Sequence, residues 1–163
     1  MRALVIYYSH LGNTAYVADS LMNVLRKKGE VDNIQLGYRS GRINLLMRLL
    51  YRMTPSLVRM EPVVLDLRDY DIICFGISVG AGYPPAIMSK YLQVCKNINK
   101  KKVVCFFVYA VEESAQRCTK YVNKILEKKG NPIITNVFVP WTKVYDTDYL
   151  EKVINEAVIK LGL

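Results

Sequence analysis

Short apolar runs alternate with longer amphipathic stretches along the chain. Runs rich in β-branched and aromatic residues predict buried strands, and apolar residues at helical spacing predict helices. The predicted strands cover 3–8, about 32–36, 71–77, 102–109 and 133–139, and the predicted helices fall near 14–28, 43–53, 84–97, 113–129 and 147–161. Strict alternation of strand and helix predicts an α/β fold, with a parallel sheet covered by helices on both faces.

Glycine and proline positions support these boundaries. Gly29 and Gly130 each follow a Lys-Lys pair at the end of a helical pattern, as is typical of a helix C-terminus. Pro84 and Pro85 fit the first turn of the third helix. The length of 163 residues, without repeats or a linker, predicts a single domain over 1–163.

Composition narrows the class of protein. Apolar residues make up 52% of the chain, which excludes general disorder, and no apolar stretch reaches the ~18–20 residues that a bilayer span needs. The N-terminal segment lacks the pattern of a signal peptide. The four cysteines show no zinc-like or C-x-x-C spacing: Cys74, Cys95, Cys105 and Cys118. We therefore expect a cytoplasmic protein with reduced thiols and without a metal site.

The first predicted strand leads through a polar turn into a helix: Ser9-His10-Leu11-Gly12-Asn13-Thr14. Such a turn directs the first free N–H groups of the helix beyond the strand end, and these groups favour a phosphate. Ser9 and Thr14 can add hydroxyl donors, and Asn13 an amide. The turn has neither the G-x-x-x-x-G-K-S/T nor the G-x-G-x-x-G pattern. A simple turn with Thr14 as the helix N-cap explains the same residues.

The loop after the third predicted strand is the other glycine-rich segment, residues 77–84. Ligands of open parallel sheets bind beyond the carboxyl ends of the strands, where the strand order reverses. The loops after strands one, three and four should therefore meet in space. The two glycines of this loop let its backbone fold over a flat ligand there and offer N–H groups to the ligand edge, although a turn that needs positive φ also accounts for the glycines.

Together these loops resemble those of the flavodoxin family. The first loop of that family has the pattern S/T-x-S/T-G-N-S/T, and this chain departs from it only at Leu11, where a hydroxyl is usual. The stretch Asp69-Tyr70-Asp71 through Gly76, followed by residues 79–82, resembles the segment that lines the flavin ring. The resemblance implies a three-layer αβα flavodoxin-like fold with five parallel strands in the order 2-1-3-4-5, and FMN as the cofactor.

The resemblance also implies which residues bind FMN. Residues 9–14 would hold the phosphate, residues 78–82 would form one wall of the ring site, and residues 109–112 the other. The implied cofactor-binding residues are Ser9, His10, Leu11, Gly12, Asn13, Thr14, Ser78, Val79, Gly80, Ala81, Gly82, Tyr109 and Ala110. Because Gly80 stands where the family commonly has an aromatic residue, Tyr83 and Tyr109 are the candidates for a substitute ring face.

Two polar features allow more than one interpretation. His10 is the only histidine, so a Ser/His hydrolase is disfavoured, and its imidazole can pair with a phosphate or point into water. Glu112 and Glu113 either lie close to the ring, where they would oppose its anionic reduced form, or occupy the first turn of helix 113–129.

Much of the net charge of +9 lies in segment 38–60. Five arginines interleave there with leucines and methionines: Arg39, Arg42, Arg48, Arg52 and Arg59. The predicted helix 43–53 is either a second covering helix of the sheet or a partner surface. We expect an acidic redox protein as the partner, with membrane-surface contact through 38–60 as the weaker alternative. No nucleic acid is expected, because no recognised binding module occurs.

The function that the resemblance implies is electron transfer by an FMN-binding protein. In such a protein the cofactor carries the chemistry, and no residue is expected to be catalytic. One alternative is a quinone or protoporphyrinogen oxidoreductase on the same fold, driven by NAD(P)H or by a partner. The other is a flavodoxin-like docking module that has lost FMN.

Overall fold

The five strands form one parallel sheet. They are β1 (Arg2–Tyr7), β2 (Glu30–Gln35), β3 (Ile72–Ser78), β4 (Lys102–Tyr109) and β5 (Ile133–Pro140), in the order β2-β1-β3-β4-β5. The computed structural model describes residues 1–39, 45–130 and 132–162, without the side chains of Leu45, Arg48 and Arg52. The predicted strand order is confirmed.

Five α-helices lie within the described residues: four connect successive strands and the fifth follows β5. They are α1 (Asn13–Arg26), α2 (Leu45–Met53), α3 (Ala86–Val94), α4 (Glu112–Glu127) and α5 (Thr147–Lys160). Two short 3₁₀ helices, Pro55–Leu57 and Trp141–Lys143, lie in the connections after α2 and β5. The element order matches the predicted alternation, and the boundaries of most elements differ by only a few residues.

Alternate residues of the strands enter two separate cores, one on each face of the sheet. Leu4 and Ile6 of β1 join the core beneath α3 and α4, whereas Val5 and Tyr7 join the core beneath α1 and α5. Period-two alternation of strand side chains produces this division. Because both faces are buried at the centre of the sheet, β1, β3 and β4 read as continuous apolar runs. The predicted three-layer αβα fold is confirmed.

Helix α2 does not act as a covering helix for most of its apolar side chains. It contacts the 3₁₀ helix Pro55–Leu57 and α3, and four of its large apolar residues are exposed: Leu46, Leu49, Leu50 and Met53. The interpretation of 43–53 as a solvated covering helix is therefore wrong for these residues. Arg42 and Ile43 of the predicted segment lie outside the described residues.

The third helix is shorter than predicted at both ends. It begins at Ala86 because Pro84 precedes another proline, which favours extended backbone, and Pro85 occupies the N-cap with ψ 145°. It ends at Val94 because Lys96 turns away to pair its backbone with Leu65 and Leu67. The placement of Pro84 and Pro85 in the first helical turn is wrong by two residues.

The four cysteines are free and buried. None of the helices among the described residues is long and apolar enough to cross a bilayer.

Candidate functional site at the carboxyl end of the sheet

The first turn of α1 presents backbone N–H groups that no side chain among the described residues caps. Gly12 occupies the N-cap position with φ 90°, a left-handed conformation that glycine adopts at low cost. The first hydrogen bond of the helix runs from the N–H of Tyr16 to the carbonyl of Gly12 at 2.9 Å. The N–H groups of Asn13, Thr14 and Ala15 therefore precede the helical hydrogen-bond ladder and face the strand end.

Thr14 is not the N-cap that one interpretation of the sequence predicted. It is the second residue of α1, whose N-cap is Gly12, and it is only 2% exposed. By contrast, α5 has a conventional cap, since the Asp146 carboxylate accepts from the N–H of Tyr149 at 3.0 Å. The N-terminus of α1 is thus left open to an external acceptor.

Ser9 supplies the second observation at this turn. Its Oγ is buried and has no hydrogen-bond partner among the described residues. A buried hydroxyl without a partner loses its hydrogen bonds to water, at a cost of about 1–3 kcal/mol. An anion seated on the first turn of α1 would supply the missing acceptor. The residues of this turn therefore fit a phosphate.

The remaining residues of the first loop are held in different ways. His10 and Leu11 are exposed, and the Leu11 side chain at the tip of the loop is 81% accessible to solvent. The Asn13 amide oxygen accepts a hydrogen bond from the Tyr145 hydroxyl at 3.0 Å. The Tyr145 ring also contacts the Tyr16 ring edge-on, with centroids 4.9 Å apart. The loop after β5 thus braces the start of α1.

The loop after β3 forms a tight two-residue turn. Gly80 and Tyr83 exchange two backbone hydrogen bonds, of 3.0 and 3.1 Å, around Ala81 and Gly82. Both central residues have positive φ, 49° and 88°, as a type I′ turn requires. Positive φ therefore explains Gly82, whereas Gly80 has open space around its Cβ position.

A cleft of about 310 Å³ lies between the first loop and this turn. Its lining includes His10, Ser78 and Gly80 from the predicted site residues, so the loops after β1 and β3 meet as expected. The same lining includes Tyr83, which is the candidate ring face that reaches the cleft. Tyr83 is held edge-on against Tyr121, with ring centroids 5.6 Å apart.

The loop after β4 does not line this cleft. Tyr109 is the last residue of β4 and Ala110 follows it, and β4 lies on the far side of β3 from β1. Burial, together with the nearby charge of Glu112, raises the pKa of the Tyr109 phenol. Glu112 and Glu113 occupy the first turn of α4, so their helix-terminus interpretation fits the structure.

Six lining residues were missed by the sequence analysis: Tyr8, Tyr38, Leu49, Pro84, Pro85 and Ala86. Tyr8 was assigned to the first strand, but β1 ends at Tyr7 and the Tyr8 ring turns to meet Tyr38 edge-on at 5.7 Å. Tyr38 and Leu49 come from the connection between β2 and β3, whose path depends on contacts distant in sequence. Tyr8 stands at the end of the apolar run 3–8, and this position was the one local sequence signal for a missed lining residue.

The sequence matches no protein-family model and no curated protein. Similar solved structures include oxidised flavodoxin 2 from Bacillus cereus, with 21% identity, a TM-score of 0.65 and coverage of 97% of this chain and 96% of that one. A flavoprotein from Lactobacillus acidophilus in complex with FMN has 16% identity and a TM-score of 0.60, with 90% and 98% coverage. The fold is flavodoxin-like.

The flavodoxin-like fold also occurs in enzymes. An azoreductase from Bacillus anthracis is 11% identical, with a TM-score of 0.57 and coverage of 98% of this chain and 96% of that one. Low identities of this kind establish a shared architecture, while function has to be argued from the residues of the site. The resemblance noted in the two loops is therefore confirmed for the fold.

Proposed function

We propose that this protein binds FMN at the carboxyl end of its sheet and acts in electron transfer. The observation that carries the proposal is the buried, unpartnered Oγ of Ser9 beside the open N-terminus of α1. The flavodoxin-like fold supports it, since one similar structure contains FMN and others are flavodoxins.

The first loop would hold the phosphate of FMN. The N–H groups at the start of α1 and the Ser9 hydroxyl supply neutral donors, and the helix dipole adds favourable electrostatics. Exposed His10 can pair with the phosphate when it is protonated. The turn formed by residues 78–82 would border the ring with backbone groups, and Tyr83 would contribute an aromatic face beside it.

FMN, when bound, supplies reversible transfer of electrons, and the protein supplies binding, orientation and electrostatics. Residues of this chain would tune that chemistry by their charges. Glu112 and Glu113 in the first turn of α4 place negative charge on the β4 side of the site. Carboxylates near the ring lower the potential for forming an anionic reduced flavin.

The partner that we propose is a redox protein with an acidic surface. The net charge of +9 would accelerate encounter with such a protein and would make the rate sensitive to salt. Electron exchange with an acidic ferredoxin, measured by stopped flow at increasing ionic strength, tests this partner class. A rate that does not change with salt would contradict it.

Spectroscopy of the purified protein tests the cofactor. We expect either flavin absorbance as purified or tight uptake of added FMN, with riboflavin binding at least about 100-fold more weakly because it lacks the phosphate. Isothermal titration with FMN and riboflavin measures the difference. Equal affinities would contradict the phosphate assignment, and no binding of either would favour a flavin-free docking module.

Ser9→Ala provides the residue-level test. We expect FMN affinity to fall about tenfold, because a buried hydrogen bond to the phosphate is lost, and riboflavin affinity to stay unchanged. The flavin-free protein should become more stable, by up to about 1–3 kcal/mol, because the substitution removes a buried hydroxyl that has no partner.

The matched control is Ser20→Ala within α1. The Ser20 hydroxyl donates to the Tyr16 carbonyl at 3.0 Å and lies two turns away from the open terminus. This control should retain wild-type affinity for both flavins. Equal losses in the two variants would show that the effect comes from the helix and not from contact with phosphate.

An oxidoreductase on the same fold is the second candidate function. The cleft of about 310 Å³ beside residues 78–82, lined by Tyr8, Tyr38 and Tyr83, gives a flat aromatic substrate such as a quinone room to lie near the ring. Protoporphyrinogen, which is not flat, is the alternative substrate of such an oxidoreductase. Sustained consumption of NAD(P)H with a quinone by the FMN-loaded protein would favour the enzyme over the carrier.

A further inference from the structure

An exposed apolar face on α2 adjoins the proposed flavin site only through Leu49. Five side chains make up this face, which we call the α2 patch: Leu46, Leu49, Leu50, Met53 and Leu57. Leu46 and Met53 are 73% and 78% exposed, and the other three are 45–57% exposed. The first four are spaced as one stripe of a helix, and Leu57 lies in the 3₁₀ helix that contacts α2.

The charge around the α2 patch has one sign. Between Asp32 and Glu61 the sequence has five arginines and no acidic residue. Arg39 and Arg59 are both exposed, and a backbone hydrogen bond of 2.9 Å between them holds the two ends of the segment together. The apolar stripe is therefore carried on a segment whose whole charge is positive.

Contacts at the two ends of segment 38–60 fix which side of α2 faces outward. Tyr38 and Met60 form an antiparallel bridge, and the ring of Tyr51 is stacked on that of Tyr38 with centroids 6.0 Å apart. Tyr51 thus anchors the inner side of α2 against the body of the protein. The leucines and Met53 remain on the outer side, where apolar area in contact with water is unfavourable.

We propose that the α2 patch binds the surface of an anionic lipid bilayer. Flexible aliphatic side chains on a convex helix, accompanied by arginines, suit insertion at the boundary of headgroups and acyl chains. Protein–protein hot spots instead favour tryptophan, tyrosine and arginine over leucine. Arginines near the bilayer would add electrostatic attraction to the negative headgroups. Leu49 also lines the cleft, so lipid would lie next to the cleft entrance.

Vesicle co-sedimentation with the full chain tests this surface. The probes are vesicles of phosphatidylcholine mixed with phosphatidylglycerol, and pure phosphatidylcholine vesicles for comparison. We expect binding to the anionic vesicles and much weaker binding to the neutral ones. Two double variants should each reduce partitioning onto the anionic vesicles about tenfold or more. One combines Leu46→Gln with Met53→Gln, and the other combines Arg39→Gln with Arg59→Gln. Leu49 stays unchanged because it lines the cleft.

Matched controls use exposed residues elsewhere. Ile133→Gln with Ile159→Gln removes two exposed apolar side chains, and Lys120→Gln with Lys124→Gln removes two exposed charges on α4. Both controls should bind vesicles like the wild type. All variants alter exposed side chains, so circular dichroism should report unchanged folding. Equal losses in the controls and the α2 variants would overturn the proposal.

Three further results would also overturn it. The first is an absence of binding to anionic vesicles. The second is a concentration-dependent dimer that the Leu46→Gln and Met53→Gln pair abolishes. The third is a complex with an acidic ferredoxin that depends on the α2 patch while vesicles do not bind. The last two would assign the patch to a second copy or to an acidic protein. The assay needs no flavin, so its outcome is independent of the proposed FMN site.

Discussion

Gly12 and Gly80 lie in neighbouring loops, but their backbones place different demands on a side chain. A Cβ at either position would meet nothing within 4 Å, yet only Gly12 has positive φ, at 90°. Gly12→Ala should therefore destabilise the flavin-free protein by about 1–2 kcal/mol through backbone strain alone. Gly80→Ala, the control, should change stability by less than about 0.5 kcal/mol.

Urea unfolding of the two variants measures this difference. Equal stabilities would mean that the turn before α1 relaxes out of the left-handed conformation in solution.

At this residue scale, residues of the candidate site could be predicted where the sequence signal is local, as in the polar turn 9–14. Tyr38 and Leu49 could not, because they reach the cleft only through the pairing of segments 37–39 and 59–61.

At the scale of the element, β3 depends on a glycine that packs against its neighbours. A Cβ on Gly76 would lie 2.4 Å from the Phe106 Cζ and 2.7 Å from the Tyr7 Cβ. Gly76→Ala should destabilise the protein by about 1–3 kcal/mol, because the central strands cannot separate to accept a methyl group. The same unfolding assay, with Gly80→Ala as the control, measures the effect.

A double variant identifies the contact responsible for that loss. Phe106→Leu removes the outer ring atoms, so Gly76→Ala should have a smaller effect in the Phe106→Leu background than in the wild type. Identical effects in both backgrounds would place the strain at Tyr7 and not at the ring of Phe106.

A strand or helix could be predicted from the sequence where the residues that determine it lie close together along the chain. All five strands were located from sequence, but only β1, β3 and β4 are buried on both faces and form continuous apolar runs. The edge strands β2 and β5 are partly exposed. The end of α3 was not located from sequence, since Lys96 pairs with a segment some thirty residues earlier in the chain. The helical period of α2 predicted the helix, but periodicity does not specify what an apolar stripe packs against, and this one is exposed.

At the scale of the whole molecule, the buried thiols make the stability of the folded protein depend on pH. Burial raises the pKa of Cys95 to about 11 and the pKa values of Cys74 and Cys118 to about 12, from an ordinary value of 9.0. The folded state therefore holds these protons more tightly than the unfolded state. Their contribution to stability is complete below pH 9 and decreases as pH rises toward 11 and 12.

Urea unfolding at a series of pH values between 8 and about 11 tests this linkage. The free energy of unfolding should fall across this range, and Cys95→Ala should make the fall less steep. A curve of unchanged slope in that variant would show that other groups, such as tyrosines, account for the whole dependence. Native thiols should also react slowly with a disulfide reagent at pH 8, whereas urea-unfolded protein should react quickly.

The contact between Tyr145 and Asn13 joins residues 132 positions apart in the chain. The contact that supports the first loop can therefore form only after the connection to α5 has left the ribosome. A nascent chain that stops short of this connection would have the complete glycine-containing turn but not its brace. Capture of the proposed FMN should accordingly be a late event in biosynthesis, following closure of the C-terminal segment onto α1.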